Sequence, residues 1–267
     1  MSDVHEISRV CGEAVKRGGA VLRQRWGTAR TVEFKGETDL VTDADRASEA
    51  VLIEFLRNQF PGSSVLAEES GALDGTANSL HFYIDPLDGT TNYAHGVPHF
   101  AVTVGAEDGS GLVAGASYDP LRDELFLAGR GQGARLNGEP IRVSSTNALS
   151  QALLTTGFPY DVQKNFDEPM RLFGACLRRS RAIRRLGSAA LDLAYVACGR
   201  VDGFWEIRLN PWDVAAGILL VQEAGGAVAD FDGGQGMLHG GTLCASNRAL
   251  QPLLLAVLGE GRGAMGR

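Results

Sequence analysis

The chain has 267 residues, of which 44% are apolar and 21% charged, as is ordinary for a globular protein built as one large domain or two closely fused lobes. A formal net charge of −7 excludes a global basic field that would attract nucleic acid or an anionic membrane, although it does not exclude a local basic patch. There is no apolar run of about 18 residues, and the charged, amphipathic N-terminus is unlike a signal peptide, so we expect a cytoplasmic protein without membrane contacts. The 4 cysteines form no C-x-x-C or zinc-type cluster, which predicts isolated reduced thiols.

Two helices and two strands are predicted in the first part of the chain. Apolar residues recur near a 3.6-residue period over 3–26, which indicates an amphipathic helix. Thr42 and Asp45 fit a Thr-x-x-acid capping box, which predicts the start of a second helix. The apolar stretch in SSVLAEES ends in two glutamates, and the predicted strand over 80–84 ends in two aspartates.

The pattern changes in the middle of the chain, over 100–143. Short alternating stretches are separated there by Gly, Asp-Gly, Asp-Pro and Asn-Gly, which predicts antiparallel strands and hairpins. From about residue 151 onward, apolar strand-like stretches alternate with helical ones. We therefore expect an α/β protein with helices layered on two sheets, organised as a single domain over 1–267 with closely packed lobes of roughly 1–150 and 151–267.

The stretch IDPLDGTTNY places two carboxylates directly beside a glycine-led turn. Asp85 and Asp88 attract cations, whereas the backbone N–H groups of the Gly89-Thr90-Thr91 turn, at the start of a helix, attract anions. A site that needs both features is one where a metal cation and a phosphate meet.

Further carboxylates lie where a strand or loop gives way to another element, namely Glu68, Glu69 and Asp213. Each of them alone is more often a helix cap or a surface group. Asp213, however, begins a helix whose next residues are nearly all apolar, and a metal would offset the cost of burying its charge. Because every candidate ligand is an oxygen donor, Mg²⁺ or Mn²⁺ is favoured over zinc. Several carboxylates around one point indicate two or more ions, which can clamp an in-line phosphoryl displacement.

Five motifs together resemble the inositol monophosphatase family, and most closely its bacterial inositol-1-monophosphatase branch. In chain order they are DLVTDAD, AEES, DPLDGTTN, GSAALDLAYVACGRVDGFWE and PWDVAAG. They follow the family order and, together with Lys35, span residues 35–217, while the flanking helices also fit. The resemblance implies the layered αβαβα sandwich of the sugar phosphatases.

The resemblance also implies a site for two or three Mg²⁺ ions, with Mn²⁺ as an alternative. Glu68 and Asp85, together with the main-chain carbonyl of Leu87, would hold the first ion. Asp85, Asp88 and Asp213 would hold the second, and a third, weaker ion would lean on Glu68. The family pattern departs at the Lys35 loop, which is one residue shorter before Asp39 than in animal enzymes, so the contribution of this loop to the third ion stays open.

Three catalytic roles are implied in the same way. Thr90 would orient the attacking water, with Asp45 as its hydrogen-bonding partner, and Glu69 would lie near the water shell of the first ion. The backbone N–H groups of Gly89 and Thr90 would hold the phosphate.

For the substrate, Glu206 falls where family members hydrogen-bond a ring hydroxyl, and the Gly-Ser-Ala at 187–189 falls where the polyol ring is cradled. Lys35 lies on the loop that closes over the site in the family. The full set of implied substrate-binding residues is Asp88, Gly89, Thr90, Thr91, Gly187, Ser188, Ala189, Glu206 and Asp213.

These features predict a Mg²⁺-dependent phosphatase acting on a small polyol monophosphate, with inositol 1-phosphate as the first candidate, by in-line attack of a metal-activated water. A carboxylate such as Glu206 facing the ring would repel a second phosphate, which favours monophosphates. Histidinol phosphate, fructose-1,6-bisphosphate and nucleotide phosphates stay open as alternatives, and relatives in the family are often inhibited by Li⁺.

A second class of function also stays open, because members of the bacterial branch bind the transcription machinery as dimers. The run RRSRAIRR, residues 178–185, is locally basic in an acidic protein. It fits a solvated strand edge, a homodimer interface, a contact with RNA, a transcription elongation factor or RNA polymerase, or a group near the substrate phosphate.

Overall fold

A computed structural model describes residues 3–27, 32–34, 40–76 and 79–263. Within these ranges the α-helices are Val4–Arg25 (α1), Asp43–Gln59 (α2), Thr90–His95 (α3), Asp167–Leu177 (α4), Ala189–Ala197 (α5), Pro211–Glu223 (α6) and Gln251–Gly263 (α7). Lys35 and Asp39, which the sequence assigns to a loop over the site, lie outside the described residues.

The strands form one small hairpin and two larger sheets. The hairpin pairs Val32–Phe34 (β1) with Leu40–Thr42 (β2). An eight-stranded sheet, in the order β10-β9-β8-β7-β6-β5-β3-β4, is built from Ser64–Ala67 (β3), Gly71–Leu73 (β4), His81–Asp88 (β5), Ala101–Asp108 (β6), Gly111–Asp119 (β7), Glu124–Gly129 (β8), Gly133–Leu136 (β9) and Glu139–Pro140 (β10). A five-stranded sheet, in the order β12-β11-β13-β15-β14, is built from Leu153–Thr156 (β11), Ala182–Arg184 (β12), Gly203–Ile207 (β13), Ala227–Ala229 (β14) and Thr242–Ser246 (β15).

The helices and sheets alternate in five layers. Helices α1 and α2 pack on one face of the eight-stranded sheet, and α6, paired with α5, packs on its other face. Helix α5 contacts strands of the five-stranded sheet, and the α4–α7 pair lies outermost, with α7 against β15. The layered αβαβα sandwich expected from the sequence is therefore confirmed. The division into lobes stays a prediction, because α5 and α6 come from the second half of the chain and pack on the sheet built by the first.

Local signals in the sequence account for several of these boundaries. Helix α1 fills almost the whole predicted segment, and α2 opens with the predicted capping box between Thr42 and Asp45. Strand β5 is longer than the predicted strand over 80–84, because its pairing with β6 continues beyond Ile84 through an irregular register to Asp88. The two aspartates therefore lie within the last part of a strand and not in a loop that follows it.

The described helices and the cysteines can be compared with the predictions from composition. None of the described helices has the length and apolar character needed to cross a membrane. The four cysteines are free thiols, of which Cys11, Cys176 and Cys244 are buried.

Helix α6 approaches the eight-stranded sheet backbone to backbone, and glycines make this approach possible. A Cβ atom on Gly115 in β7 would lie 2.7 Å from the carbonyl oxygen of Ala216 and 2.9 Å from its Cα. A Cβ atom on Gly105 in β6 would lie 2.5 Å from the Cβ of Ala215. This close contact fixes the distance of the first turns of α6 from the sheet, and with it the position of Asp213.

We expect Gly115→Ala to destabilise the protein by about 1–3 kcal/mol, because the added methyl group cannot fit against the α6 backbone without displacing it. The free energy of unfolding in urea measures this change. Gly109→Ala, in the turn after β6, is the matched control, since a Cβ atom there meets nothing within 4 Å. Equal stability of the two variants would contradict the close approach.

Candidate active site

The first acidic pair comes from neighbouring parallel strands of the eight-stranded sheet. Strands β3 and β5 run parallel, with Ala67 opposite Ile84. Glu68 and Asp85, the next residues of the two strands, therefore emerge side by side at one edge of the sheet. The backbone N–H of Glu68 donates to the carbonyl of Ile84 at 3.1 Å, which holds the two segments in register.

The five-stranded sheet contributes through the same geometry. Strands β12 and β13 both run parallel to β11, so their carboxyl ends meet at one edge. Gly157 and Arg185 directly follow β11 and β12, and Glu206 is the next-to-last residue of β13. Gly157 lies so close to Glu206 that a Cβ atom on it would come within 2.1 Å of the Glu206 Oε2 atom.

A cavity of about 120 Å³ lies where these edges meet. It brings together all the predicted metal-binding and substrate-binding residues, namely Glu68, Asp85, Leu87, Asp88, Gly89, Thr90, Thr91, Gly187, Ser188, Ala189, Glu206 and Asp213. A larger cavity, of about 380 Å³, lies between α1 and strands β8 and β9, but Glu13 is its sole acidic lining residue. The chemistry of the lining, and not the volume, therefore identifies the candidate site.

Burial, and after it mutual repulsion, raises the pKa values of the acidic side chains. Asp85 is 2% exposed. Burial raises the pKa of its carboxyl group well above the ordinary value, and the negative charges of Glu68, Asp88 and Asp213 raise it further. Burial likewise raises the pKa of Asp88 and of Asp213. A cation in the cavity would relieve this repulsion.

Backbone N–H groups at two helix starts stabilise two of the carboxylates. Asp88 Oδ2 accepts from the N–H of Ala190 at 2.8 Å and from the hydroxyl of Ser188, the N-cap residue of α5. Asp213 Oδ2 accepts from the N–H of Asn210 at 2.7 Å at the start of α6. The positive ends of both helix dipoles thus lie at the acidic cavity.

The donor set fits Mg²⁺ or Mn²⁺. It consists of carboxylates and the Leu87 carbonyl, all of them hard oxygen donors. Among the described residues, no three Asp, Glu, His or Cys side chains are already arranged as a closed metal site. Asp85, Asp88 and Asp213 instead accept hydrogen bonds from backbone N–H groups, which partly offset their charge. Glu68, Asp85, Leu87, Asp88 and Asp213 stay the predicted ligands.

Thr90 and Asp45 are hydrogen-bonded, as the resemblance implies. The Thr90 hydroxyl lies 3.2 Å from Asp45 Oδ1 and 3.0 Å from the Leu87 carbonyl oxygen, so it can donate a hydrogen bond to either acceptor. Burial raises the pKa of Asp45 to about 6, although two hydrogen bonds from Thr42 lower it. Asp45 lies behind Thr90, and neither Asp45 nor Glu69 lines the cavity. Their catalytic roles stay predictions.

Comparison with known proteins agrees with this geometry. A model of the inositol monophosphatase family matches residues 3–261. The chain belongs to the inositol monophosphatase family. It is 43% identical over 255 residues to the Nus factor SuhB of Escherichia coli, covering 95% of this chain and 96% of the relative. It is 44% identical over 247 residues to an inositol-1-monophosphatase of Synechocystis sp., covering 92% and 86%.

Solved structures of family members have the same fold. The extragenic suppressor protein suhB of Bartonella henselae superposes with a TM-score of 0.91 at 39% identity, covering 96% of this chain and 99% of that one. The inositol monophosphatase of Anabaena (Nostoc) sp. superposes with a TM-score of 0.88 at 42% identity, covering 97% of each chain.

Several residues that line or support this candidate site were not assigned to it from the sequence. The cavity is also lined by Gly157, Phe158, Pro159, Tyr160, Arg185, Asp192, Arg208, Leu209, Asn210 and Trp212. Asp192 stood in the quoted GSAALDLAYVACGRVDGFWE motif without a role, and its signal was a charge within that motif. Arg185 ends the basic run, for which a position near the substrate phosphate was one of the predicted alternatives, and it does line the cavity.

Helix α2 supports the acidic segments from behind, which the sequence analysis also missed. Ser48 Oγ donates to the carbonyl of Pro86 at 2.9 Å. Glu49 Oε2 accepts from the N–H of Glu69 at 2.8 Å, and Glu49 Oε1 accepts from the hydroxyl of Ser70. Ser48 and Glu49 are both buried and lie one helical turn after Asp45. Polar residues at this spacing on the buried face of an amphipathic helix were the available signal.

We expect Glu49→Gln to weaken binding of Mn²⁺, used as a probe for Mg²⁺, by roughly 10–100-fold, because supporting residues of this kind orient the ligands. The amide cannot accept from both the Glu69 N–H and the Ser70 hydroxyl, so the segment that carries Glu68 loses one restraint. Calorimetric titration with Mn²⁺ measures the dissociation constant.

Glu54→Gln makes the same chemical change on the exposed face of α2 and serves as the control. Unchanged Mn²⁺ affinity in a folded Glu49→Gln protein would contradict the supporting role.

Proposed function

We propose that the protein is a Mg²⁺-dependent phosphatase that hydrolyses a small polyol monophosphate, with inositol 1-phosphate as its first candidate substrate. The observation that carries the proposal is the meeting of oxygen-donor carboxylates and a helix-start turn in one cavity. The name of the Synechocystis relative supports the choice of inositol 1-phosphate.

The phosphate group fits best at the turn after β5. Gly89 has φ of 95°, a left-handed conformation that glycine adopts readily. A Cβ atom on Gly89 would also lie 3.1 Å from the carbonyl oxygen of Gly187. The turn can therefore come close to the 187–189 segment, and its backbone N–H groups, with those of Thr90 and Thr91, face a phosphate in the cavity.

The attacking water fits best at Thr90. Because the Thr90 hydroxyl donates its hydrogen toward Asp45 or the Leu87 carbonyl, its lone pairs are left to accept a hydrogen bond from water. Asp45 holds the hydroxyl in this orientation. Magnesium ions, when bound, would supply the positive charge that activates water and neutralises the leaving oxygen.

The leaving group fits next to Glu206. Burial raises the pKa of this carboxyl group to about 8, Arg185 lowers it and Asp88 raises it. A buried carboxyl group at this position can form hydrogen bonds with neutral hydroxyl groups, whereas it would disfavour a second, negatively charged phosphate. The small cavity volume and this side chain support a compact monophosphate over a bisphosphate.

We expect wild-type protein to release phosphate only with Mg²⁺ present, and Asp88→Asn to lower kcat by roughly 10²–10³-fold, because a charge that positions and stabilises the transition state is lost. The substrate panel contains inositol 1-phosphate, glycerol 2-phosphate, histidinol phosphate, fructose-1,6-bisphosphate and adenosine 3′,5′-bisphosphate. Asp167→Asn, an exposed aspartate at the start of α4, is the charge-matched control. We also expect inhibition by Li⁺.

Activity that survives chelation unchanged would rule out the metal mechanism. Preference for another panel member would keep the mechanism and change the substrate. Absence of turnover on every substrate would favour the second candidate function.

That second candidate is a role in transcription, which the name Nus factor SuhB of the Escherichia coli relative supports. The basic run at 178–185 adds a structural feature, because its arginines at 178, 179, 181, 184 and 185 are all exposed. Arg184 is the last residue of β12, the edge strand of the five-stranded sheet, and the other four flank this strand. An exposed edge with repeated positive charge suits an acidic or nucleic-acid partner. We also propose that the protein is a homodimer, and the exposed edge strand is one candidate for its interface.

We expect the protein to retain a transcription elongation factor or RNA polymerase in a salt-sensitive pull-down, and Arg178→Ala with Arg181→Ala to abolish retention. Arg9→Ala with Arg17→Ala removes the same charge from α1 and is the control. Light scattering on each variant measures the oligomeric state. Retention that is unaffected by the 178/181 change would exclude the basic run as the contact, whereas conversion to monomers would assign it to the dimer interface.

A further inference from the structure

Asp192 is a buried acid of the candidate active site to which no role has yet been given. It lies in the first turn of α5, four residues after the N-cap Ser188, and is 1% exposed. It nevertheless lines the same cavity as Asp88 and Glu206. Its side chain therefore reaches the cavity from beneath the helix start that stabilises Asp88.

One oxygen of the Asp192 carboxyl group has no hydrogen-bond donor within the part of the chain that the structure describes. Across the described ranges, the Asp192 Oδ1 atom has no hydrogen-bond partner that meets normal geometry. The hydroxyl of Thr155, at the end of β11, faces the carboxyl group and lowers its pKa. This hydroxyl has one hydrogen, whereas a carboxylate has about four acceptor positions. Most of the acceptor capacity of Asp192 is therefore unused, and leaving it so in a buried group is costly.

The surroundings restrict what the missing donor can be. Burial raises the pKa of Asp192 well above the ordinary value, Glu206 and Asp88 raise it further, and Thr155 and Arg185 lower it. Because Asp88 and Glu206 are acidic as well, a phosphate or carboxylate group would be repelled next to Asp192. A neutral hydroxyl group would satisfy it without adding charge.

We propose that Asp192 accepts a hydrogen bond from a second hydroxyl group of the substrate, so that Glu206 and Asp192 together select a polyol monophosphate with at least two free hydroxyl groups. The proposal rests on the phosphatase function proposed above and names a further specificity-determining residue for it. Two acidic side chains that approach from different elements, β13 and α5, can recognise two hydroxyl groups of one ring. A single acid would accept any alcohol of similar size.

The test compares Asp192→Asn and Asp192→Ala with wild type on two substrates. Inositol 1-phosphate carries several hydroxyl groups, whereas 4-nitrophenyl phosphate carries none. We expect kcat/KM for inositol 1-phosphate to fall by about 10–100-fold in Asp192→Ala, which removes the acceptor, and by a smaller factor in Asp192→Asn, whose amide oxygen still accepts a hydrogen bond but carries no charge. We expect kcat/KM for 4-nitrophenyl phosphate to stay within about two-fold of wild type. Glu206→Gln should give the same selective loss, and Asp167→Asn should give none.

Two further measurements separate this role from a structural or metal-binding one. Circular dichroism melting shows whether each variant folds, and the isosteric Asp192→Asn keeps the test valid if the alanine variant does not fold. Mn²⁺ titration reports the metal site independently of turnover, and we expect no change in Mn²⁺ affinity.

Three outcomes would overturn the proposal: equal losses on both substrates, loss of Mn²⁺ affinity in Asp192→Asn, or unchanged kcat/KM for inositol 1-phosphate. If wild type hydrolyses neither substrate, the phosphatase function itself fails and the proposal fails with it. If wild type is active and Asp192→Asn has the same activity, only the role of Asp192 fails and the phosphatase function stands.

Discussion

The constraint on which the site depends is the repulsion among carboxylates held in one small cavity. Asp85 is almost fully buried, and its neighbours Glu68, Asp88 and Asp213 are also acidic. The protein offsets part of this charge with the N-terminal ends of α5 and α6. Helix ends carry only about half an elementary charge each, so a large negative charge is left over. This remainder is what would make the cavity bind a divalent cation and, together with the turn after β5, a phosphate group.

The framework that holds the carboxylates against their repulsion comes from three directions. Parallel strands of both sheets end at the cavity, so their following residues converge there. Helix α6 packs closely on glycines of the eight-stranded sheet, and this contact sets the position of Asp213 relative to the sheet. Helix α2 binds the two acidic segments from behind through Ser48 and Glu49. Each acidic segment is thus restrained by an element other than its own, and little freedom is left for the side chains to move apart.

Much of this arrangement could be predicted from the sequence, because it rests on local signals. The capping box at Thr42, the alternation of strands and helices, and the acids of IDPLDGTTNY are all short-range patterns, and they predicted helices layered on two sheets and a site for a metal and a phosphate. The αβαβα sandwich and the full set of site residues came from the family resemblance. The extension of β5 could not be predicted, since a proline inside a strand normally ends its pairing and only the register with β6 shows otherwise. Glu49 and Asp192 gave only weak local signals, a polar residue on the buried face of α2 and a charge within a family motif, and neither signal specified a role. Their importance arises from tertiary packing, which brings Glu49 to a backbone N–H 20 residues away and Asp192 to the end of β11.

The hydrogen bond between Ser188 and Asp88 joins residues that are 100 positions apart in the chain. It links the N-cap of α5 to the last residue of β5. The N-terminus of this helix is therefore hydrogen-bonded to a strand of the eight-stranded sheet. Contacts between distant parts of a chain form late in folding, because a long loop must be closed first. The acidic cavity is therefore assembled only when both sheets have docked. Neither half of the chain alone carries the whole set of carboxylates, so the complete site exists only in the docked fold.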